Sequence, residues 1–352
     1  MTAPVLRGVE LLCPPPGAYG DPLYDTTYEH IAQRAAALGA TLVRDERGDP
    51  TLHRSHFLDN PNAYTLVGVD PVIDKETKDI IENGSAFGVA VPGIEPYAAT
   101  RGRQLPLPFV LAQRALSGGN GKYLIESEEQ LGQVRAVLDS DREGLSDAGE
   151  LYEVRRFIDT PSDHYTSYRV LTSPEDILAA GLLYSTHRKT HPRNLASSRL
   201  RSLLFTDRTR PPAFEDRRSP FYLESRDIRS NIEQGGGCIP LMGDNRRRLS
   251  RKEITILEAH GIDPKAPALP ERIRRPALVV ARKIGRVSGL LAGEDFLDDK
   301  ELKTGWFLEH NSGPGEHTWN ECWNGSAKIP AALALRQMHD AALDTIIAAR
   351  SN

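Results

Sequence analysis

Between residues 305 and 319 the chain reads GWFLEHNSGPGEHTW: an apolar run through Phe307 and Leu308 stops on Glu309 and Asn311, then gives way to Ser-Gly-Pro-Gly. If Trp306 to Asn311 is a strand, its side chains alternate between faces, so Glu309 and Asn311 project from the same side, about 7 Å apart along the backbone. Two oxygen donors aimed the same way at the mouth of a sheet suit a hard cation such as Mg²⁺, which takes carboxylate and carbonyl oxygen. The same letters also describe a strand end with two solvated polar residues ahead of a Gly/Pro turn. Which reading holds depends on what else the chain brings to that end of the sheet.

With 352 residues the chain can form two or three compact units, and 39% hydrophobic with 26% charged residues fits a folded globular protein rather than a disordered one. A formal charge of -4 argues against a dedicated nucleic-acid binder. No stretch approaches the roughly 18 consecutive apolar residues of a membrane span, and MTAPVLRGVELLCPPPGAYG lacks the regions of a signal peptide, so a cytoplasmic protein with no membrane partner is expected. Cys13, Cys238 and Cys322 are odd in number and far apart, as free thiols in a reducing compartment are. There is no CxxC or HExxH spacing, and His310, His317 and Cys322 read as incidental rather than as a zinc site.

The N-terminal part alternates short apolar runs with helical ones: GVELLC, YEHIAQRAAALGATLV, AYTLVGVD, KETKDIIENGSAFGVAVP. That is the βαβ rhythm of a small open sheet. LPFVLAQRALSGGNGKYLIES predicts strand, glycine-rich turn and strand, and SEEQLGQVRAVLDS a capped helix. LYEVRRFIDT, YRVLT and DILAAGLLYS read as strands, with SDHYTSYR before the second reading as a loop that could bring Asp163 or His164 to a ligand. Residues 185 to 229, rich in arginine and proline, read as an inserted loop or lid. RKEITILEAHGI and LPERIRRPALVVARKIGRVSG are helical, and GLLAGEDFLDD and TGWFLEHNSG are paired strands. KIPAALALRQMHDAALDTIIAAR closes the chain as an amphipathic helix. Its apolar face packs on its own domain or, alternatively, forms a homodimer contact.

Three pieces then converge. LLAGEDFL ends a strand with Asp295, FLEHNSGPG ends one with Glu309 and Asn311, and SGGNGKYLI offers a glycine loop whose amides can approach phosphate. Asp, Glu and Asn at neighbouring strand ends facing such a loop suit a metal-bound nucleoside triphosphate. Here the sequence resembles the ATP-grasp superfamily, which carries an Asp on one strand and Glu-x-Asn on the next as its Mg²⁺ ligands, often before a Pro-Gly turn; Asp295, Glu309, Asn311, Pro314 and Gly315 match it. The resemblance runs from about residue 74 to residue 315. It implies Lys75 as an ATP-contacting lysine, Gly118, Gly119 and Gly121 (with Gln113 beside them) over the phosphates, and Arg156, Phe157 and Ile158 at the adenine edge. SYRVLT and RSNIEQGG resemble the phosphate- and carboxylate-holding segments of glutathione-synthetase-like and glutamate-adding ligases, with Arg169, Arg229 and Asn231 at the matching positions. One departure is Ala112, where the family carries a phosphate-binding lysine; Gln113, Arg114 and Lys122 are the nearby substitutes.

The fold class so implied is α/β and α+β. An N-terminal open α/β domain over 1–98 precedes two α+β subdomains, 99–172 with the glycine loop and 173–352 with the metal ligands and the insertion, gripping ATP between them. The implied activity is an ATP-dependent carboxylate-amine ligase, using ATP with Mg²⁺ (or Mn²⁺) to join a small-molecule carboxylate and amine through an acyl phosphate. A kinase acting on a hydroxyl and a nucleotide-binding protein with little turnover are the alternatives.

Overall fold

The computed structural model describes residues 5–14, 22–44, 60–68, 70–113, 122–139, 151–190, 223, 228, 236–243, 247–311, 316–324 and 329–351. The chain divides into two compact units, one of 1–91, 167–183 and 238–352, the other of 92–166 and 184–237. These crossings do not coincide with the expected divisions at 98/99 and 172/173. The reason lies in the first unit's core. Leu11, Ile31, Ala32 and Ala35 from the N-terminal segment share one apolar cluster with Leu171, Leu290 and Leu291 and with Ala334, Met338, Ala342 and Ile346 from the C-terminal helix.

In this unit β1 (Glu10–Cys13) is central in a parallel sheet, flanked by β2 (Thr41–Arg44) and β3 (Ala63–Thr65), as the βαβ rhythm predicts. Helix α1 (Pro22–Ala37) starts on a proline, whose missing N–H costs nothing at a first helical position. Helix α2 (Asp70–Asn83) begins earlier than the sequence pattern marked, so Lys75 lies within it and is exposed. In the second unit β4 (Ile94–Pro96), β5 (Phe109–Gln113), β6 (Lys122–Ile125) and β7 (Tyr152–Arg156) form an antiparallel sheet in the order β4-β7-β5-β6. Helix α3 (Glu128–Leu138) opens with a capping box between Ser127 and Gln130, and Leu131, Val134 and Leu138 join Phe109, Leu111, Tyr123 and Tyr152 in the core.

A five-stranded sheet runs β10-β9-β8-β11-β12, with β8 at His164–Thr172, β9 at Ile177–Arg188, β10 at Gly237–Pro240, β11 at Ala292–Asp298 and β12 at Gly305–Asn311. Two expectations need correction here. The stretch around Asp163 and His164 does not stay a loop, since His164 already begins β8. Residues 185–188, expected in the insertion, extend β9, and most residues from 191 to 229 lie outside the described ones.

Helix α4 (Arg251–Ala259) has a Ser250–Glu253 capping box, and α5 (Glu271–Ser288) buries Ile273, Ala277, Val280, Ala281 and Ile284. Gly305 lets β12 pass this helix closely: a Cβ there would lie 2.2 Å from the carbonyl oxygen of Arg272. Pro276 has no N–H to offer that same carbonyl one turn on. Helix α6 (Ala331–Ser351) lies on α1, with Arg34 bonded to Asp340 and Asp344 at 2.7 and 2.5 Å, and buries Ala334, Met338, Ala342 and Ile346 against its own chain, while Leu333 stays exposed. Among the described residues no helix is long and apolar enough to cross a membrane.

Candidate nucleotide and cation site

β11 and β12 are antiparallel, with Gly293 opposite Asn311, Glu294 opposite His310 and Asp295 opposite Glu309. One step further the register shifts, and Phe296 pairs with Phe307. Leu308 is the extra residue. A bulge resets the alternation along the bulged strand, which is why Phe307 can enter the core at 0% exposure while Glu309, two residues on, faces Asp295 on the other side. On its other edge β11 pairs with β8, and Arg169 stands opposite Asp295. Arg169, Asp295, Glu309 and, two residues along, Asn311 therefore share one face.

Asp295 lies mid-strand, since Phe296 and Leu297 continue the ladder to Asp298; the sequence reading that ended the strand at Asp295 is corrected. Its carboxylate accepts from Arg169 Nε and Nη2, both at 2.5 Å, a bidentate fork. The sequence reading gave these two residues separate partners, a metal and a phosphate, whereas the structure joins them to each other. Burial pushes the Asp295 carboxyl up, Arg169 pulls it down, and the neighbouring Glu309 carboxylate pushes it up again, to about 6. Two carboxylates within hydrogen-bond reach, one of them 6% exposed, repel unless a proton or a cation lies with them.

The donor set suits a hard divalent cation, two carboxylates and the side-chain oxygen of the Asn311 amide, whose Nδ2, without a hydrogen-bond partner among the described residues, is an N–H donor suited to a ligand acceptor and not to the cation. Among those residues no group of three His, Cys, Asp or Glu side chains could hold a metal, so a cation here would depend on the Asn311 amide and on ligand oxygens.

The other expected contacts are dispersed. In the second unit Gln113 ends β5, Arg156 ends β7 with its N–H on Gly93 O at 3.2 Å, Phe157 is half-buried and Ile158 buried. Ala112 is 2% exposed, with Lys122 as its cross-strand neighbour on one side and Glu153 on the other. A lysine therefore stands beside the position where the family pattern carries one. Gly118, Gly119, Gly121, Arg229 and Asn231 lie outside the described residues.

Sequence reasoning missed two buried polar groups in this sheet. Behind the candidate ligands Glu294 and His310 pair at 2.9 Å. Farther along, Asp298 accepts from Tyr168 Oη at 2.5 Å and from Arg272 at 2.9 and 2.7 Å, with His260 Nδ1 at 2.9 Å. The available signal was an acidic residue at every core-facing polar break of AGEDFLD, namely Glu294 and Asp298.

No family model matches the sequence, and no curated protein matches it. Among solved structures the chain is similar to the VanG D-Ala:D-Ser ligase from Enterococcus faecalis, at 11% identity over 87% of this chain and 72% of that one, TM-score 0.42. It is similar also to the ATP-grasp ligase PsnB complexed with a minimal precursor, at 11% identity over 96% and 99%, TM-score 0.42. A third is the D-alanine–D-alanine ligase from Bacillus anthracis, at 9% identity over 97% and 98%, TM-score 0.40. The strand orders and helices described above give the chain the mixed helix-and-sheet organisation expected of it.

Proposed function

We propose that the protein is an ATP-dependent carboxylate-amine ligase that forms an amide or peptide bond through an acyl phosphate and releases ADP and phosphate. The observation that carries this reading is the facing pair of buried Asp295 and half-buried Glu309 on adjacent strands, with Asn311 on the same face and the Arg169 guanidinium in contact with Asp295. Phosphoryl transfer needs the charge of the triphosphate neutralised and the acceptor held in line. Asp295, Glu309 and Asn311 would hold Mg²⁺ or Mn²⁺, which supplies that neutralisation, and Arg169 adds a fixed positive charge. Lys75, Gln113, Gly118, Gly119, Gly121, Arg156, Phe157 and Ile158 are the ATP contacts that the motifs support.

In the proposed reaction a carboxylate oxygen takes the γ-phosphoryl group as ADP leaves. The amine then attacks the acyl carbon, phosphate departs and the amine loses its proton. Arg229 and Asn231, ahead of a run of glycines in RSNIEQGGG, would hold the carboxylate and stabilise the tetrahedral oxyanion. That segment favours a carboxylate acceptor over a hydroxyl. Small-molecule substrates, a cytoplasmic setting and no nucleic-acid partner belong to the same reading.

The test is a screen of paired carboxylates and amines for Mg²⁺-dependent ADP release, with hydroxylamine added to trap the acyl phosphate as a hydroxamate. AMP and pyrophosphate as products would refute it. A second reading, a nucleotide-binding protein with little turnover, is favoured by one observation: Arg169 engages both oxygens of Asp295. ATP binding without ADP release under any pair selects it.

A further inference from the structure

Glu294 and His310 are cross-strand partners on the reverse face of the strands that carry Asp295, Glu309 and Asn311. His310 Nδ1 lies 2.9 Å from Glu294 Oε1, and the two side chains are 1% and 0% exposed. Their face is the apolar one: Val170 of β8 is the other neighbour of Glu294, and Phe296 and Phe307 follow with ring centroids 5.5 Å apart. An apolar pair would fill this position without polar penalty, and such replacements of buried charged pairs are commonly neutral or stabilising. The penalty is compounded here, because Glu294 Oε2 and His310 Nε2 have no hydrogen-bond partner among the described residues.

What an apolar pair lacks is direction. The bulge at Leu308 immediately precedes this point, and beyond a bulge the pairing can slip. A slip of one residue exchanges the faces of every following side chain. Glu309 and Asn311 would then turn into the core and His310 would face Asp295. A hydrogen bond between Glu294 and His310 forms in one register only, and fixing register is the best-attested use of a buried polar pair. We propose that Glu294 and His310 are a positioning pair that locks β12 against β11 past the bulge, so that Glu309 and Asn311 stay on the face of Asp295. This rests on the reading of that face as a cation site.

Mn²⁺ serves as the probe, with binding followed by electron paramagnetic resonance in the presence of ATP and thermal unfolding recorded alongside. In Glu294→Val/His310→Val, Mn²⁺ affinity should fall by roughly 10- to 100-fold, the range for residues that orient metal ligands, while the unfolding temperature holds or rises. Glu294→Gln, which still accepts from Nδ1, should restore most of that affinity. Unchanged Mn²⁺ affinity in the double variant overturns the inference, provided that wild type binds Mn²⁺ and Asp295→Asn loses it. A wild type that takes up no Mn²⁺ with ATP overturns the cation-site reading and the inference together. Should the double variant not fold, His310→Asn replaces it: affinity within about twofold of wild type counts against the pair, and a loss of roughly tenfold at unchanged unfolding temperature supports it.

Discussion

The guanidinium of Arg169 lies along both carboxylate oxygens of Asp295, each contact 2.5 Å, and the two residues are also cross-strand partners of β8 and β11. The Glu309 carboxylate is the next neighbour on that face, so Arg169 offsets a repulsion that a bound cation would also relieve. Removing the arginine leaves a buried carboxylate without its partner, a loss of about 3–5 kcal/mol. Arg169→Ala should therefore unfold at markedly lower temperature, and Mg²⁺ with ATP should raise its unfolding temperature by more than it raises that of wild type. No Mg²⁺-dependent shift in this variant would count against a cation at Asp295 and Glu309. Arg169→Lys keeps a charge without the fork, and should fall between the two in stability.

Glu253 predicts a pH dependence. Burial alone would push its carboxyl up, but hydrogen bonds from Arg247 and from Ser250 outweigh that and hold it at about 2. Its pKa is depressed relative to the ordinary 4.5, so the unfolded chain binds the proton more readily. The stabilisation is complete above 4.5 and is lost as the pH falls through about 2. Glu253→Gln should lower stability at neutral pH by about 3 kcal/mol and flatten the acid limb of a stability-against-pH curve measured by urea unfolding. An acid limb identical to wild type would remove Glu253 as its source.

Asp298 and Tyr168 separate a hub from a spoke. Burial would raise the Asp298 carboxyl, yet the bonds from His260, Arg272 and Tyr168 keep it below its ordinary value. Asp298→Ala leaves Arg272 without its carboxylate and takes the shared carboxylate from His260 and Tyr168, which still face each other at 3.1 Å, and should cost about 3–5 kcal/mol. Tyr168→Phe removes one of four bonds to the same carboxylate and should cost about 1–2 kcal/mol. Equal losses in chemical denaturation would show that the three groups do not act around Asp298.

Ala112→Lys tests whether the family's lysine can simply be restored. Ala112 is buried, with Lys122 and Glu153 opposite it on the neighbouring strands. A second ammonium beside Lys122 should destabilise the protein by roughly 1–3 kcal/mol through desolvation, leaving ATP affinity no tighter. Tighter ATP binding at unchanged unfolding temperature would mean that the position does have room and need for that charge.

The elements were legible in the sequence because each rests on local chemistry. Ser127 with Gln130 and Ser250 with Glu253 announce their helices by capping, and the apolar positions of Glu271–Ser288 repeat at the helical period. Glu309 and Asn311 stood out because two polar residues interrupt an apolar strand at the spacing that shares a face. Asp295 was visible as a residue but not as a mid-strand one, since nothing local in AGEDFLD distinguishes a strand that stops from one that continues against Phe307 and Trp306.

Only the tertiary structure decided the relations between residues far apart in the chain. The bulge at Leu308 exists because Phe296 needs Phe307 in the core while Asp295 faces Glu309, a conflict of faces that arises only once two strands pair. The fork of Arg169 on Asp295, 126 residues away, and the bond between Glu294 and His310 depend on strand register in the same way. Single-strand alternation says which residues share a face of one strand, and pairing across the sheet determines what they meet there.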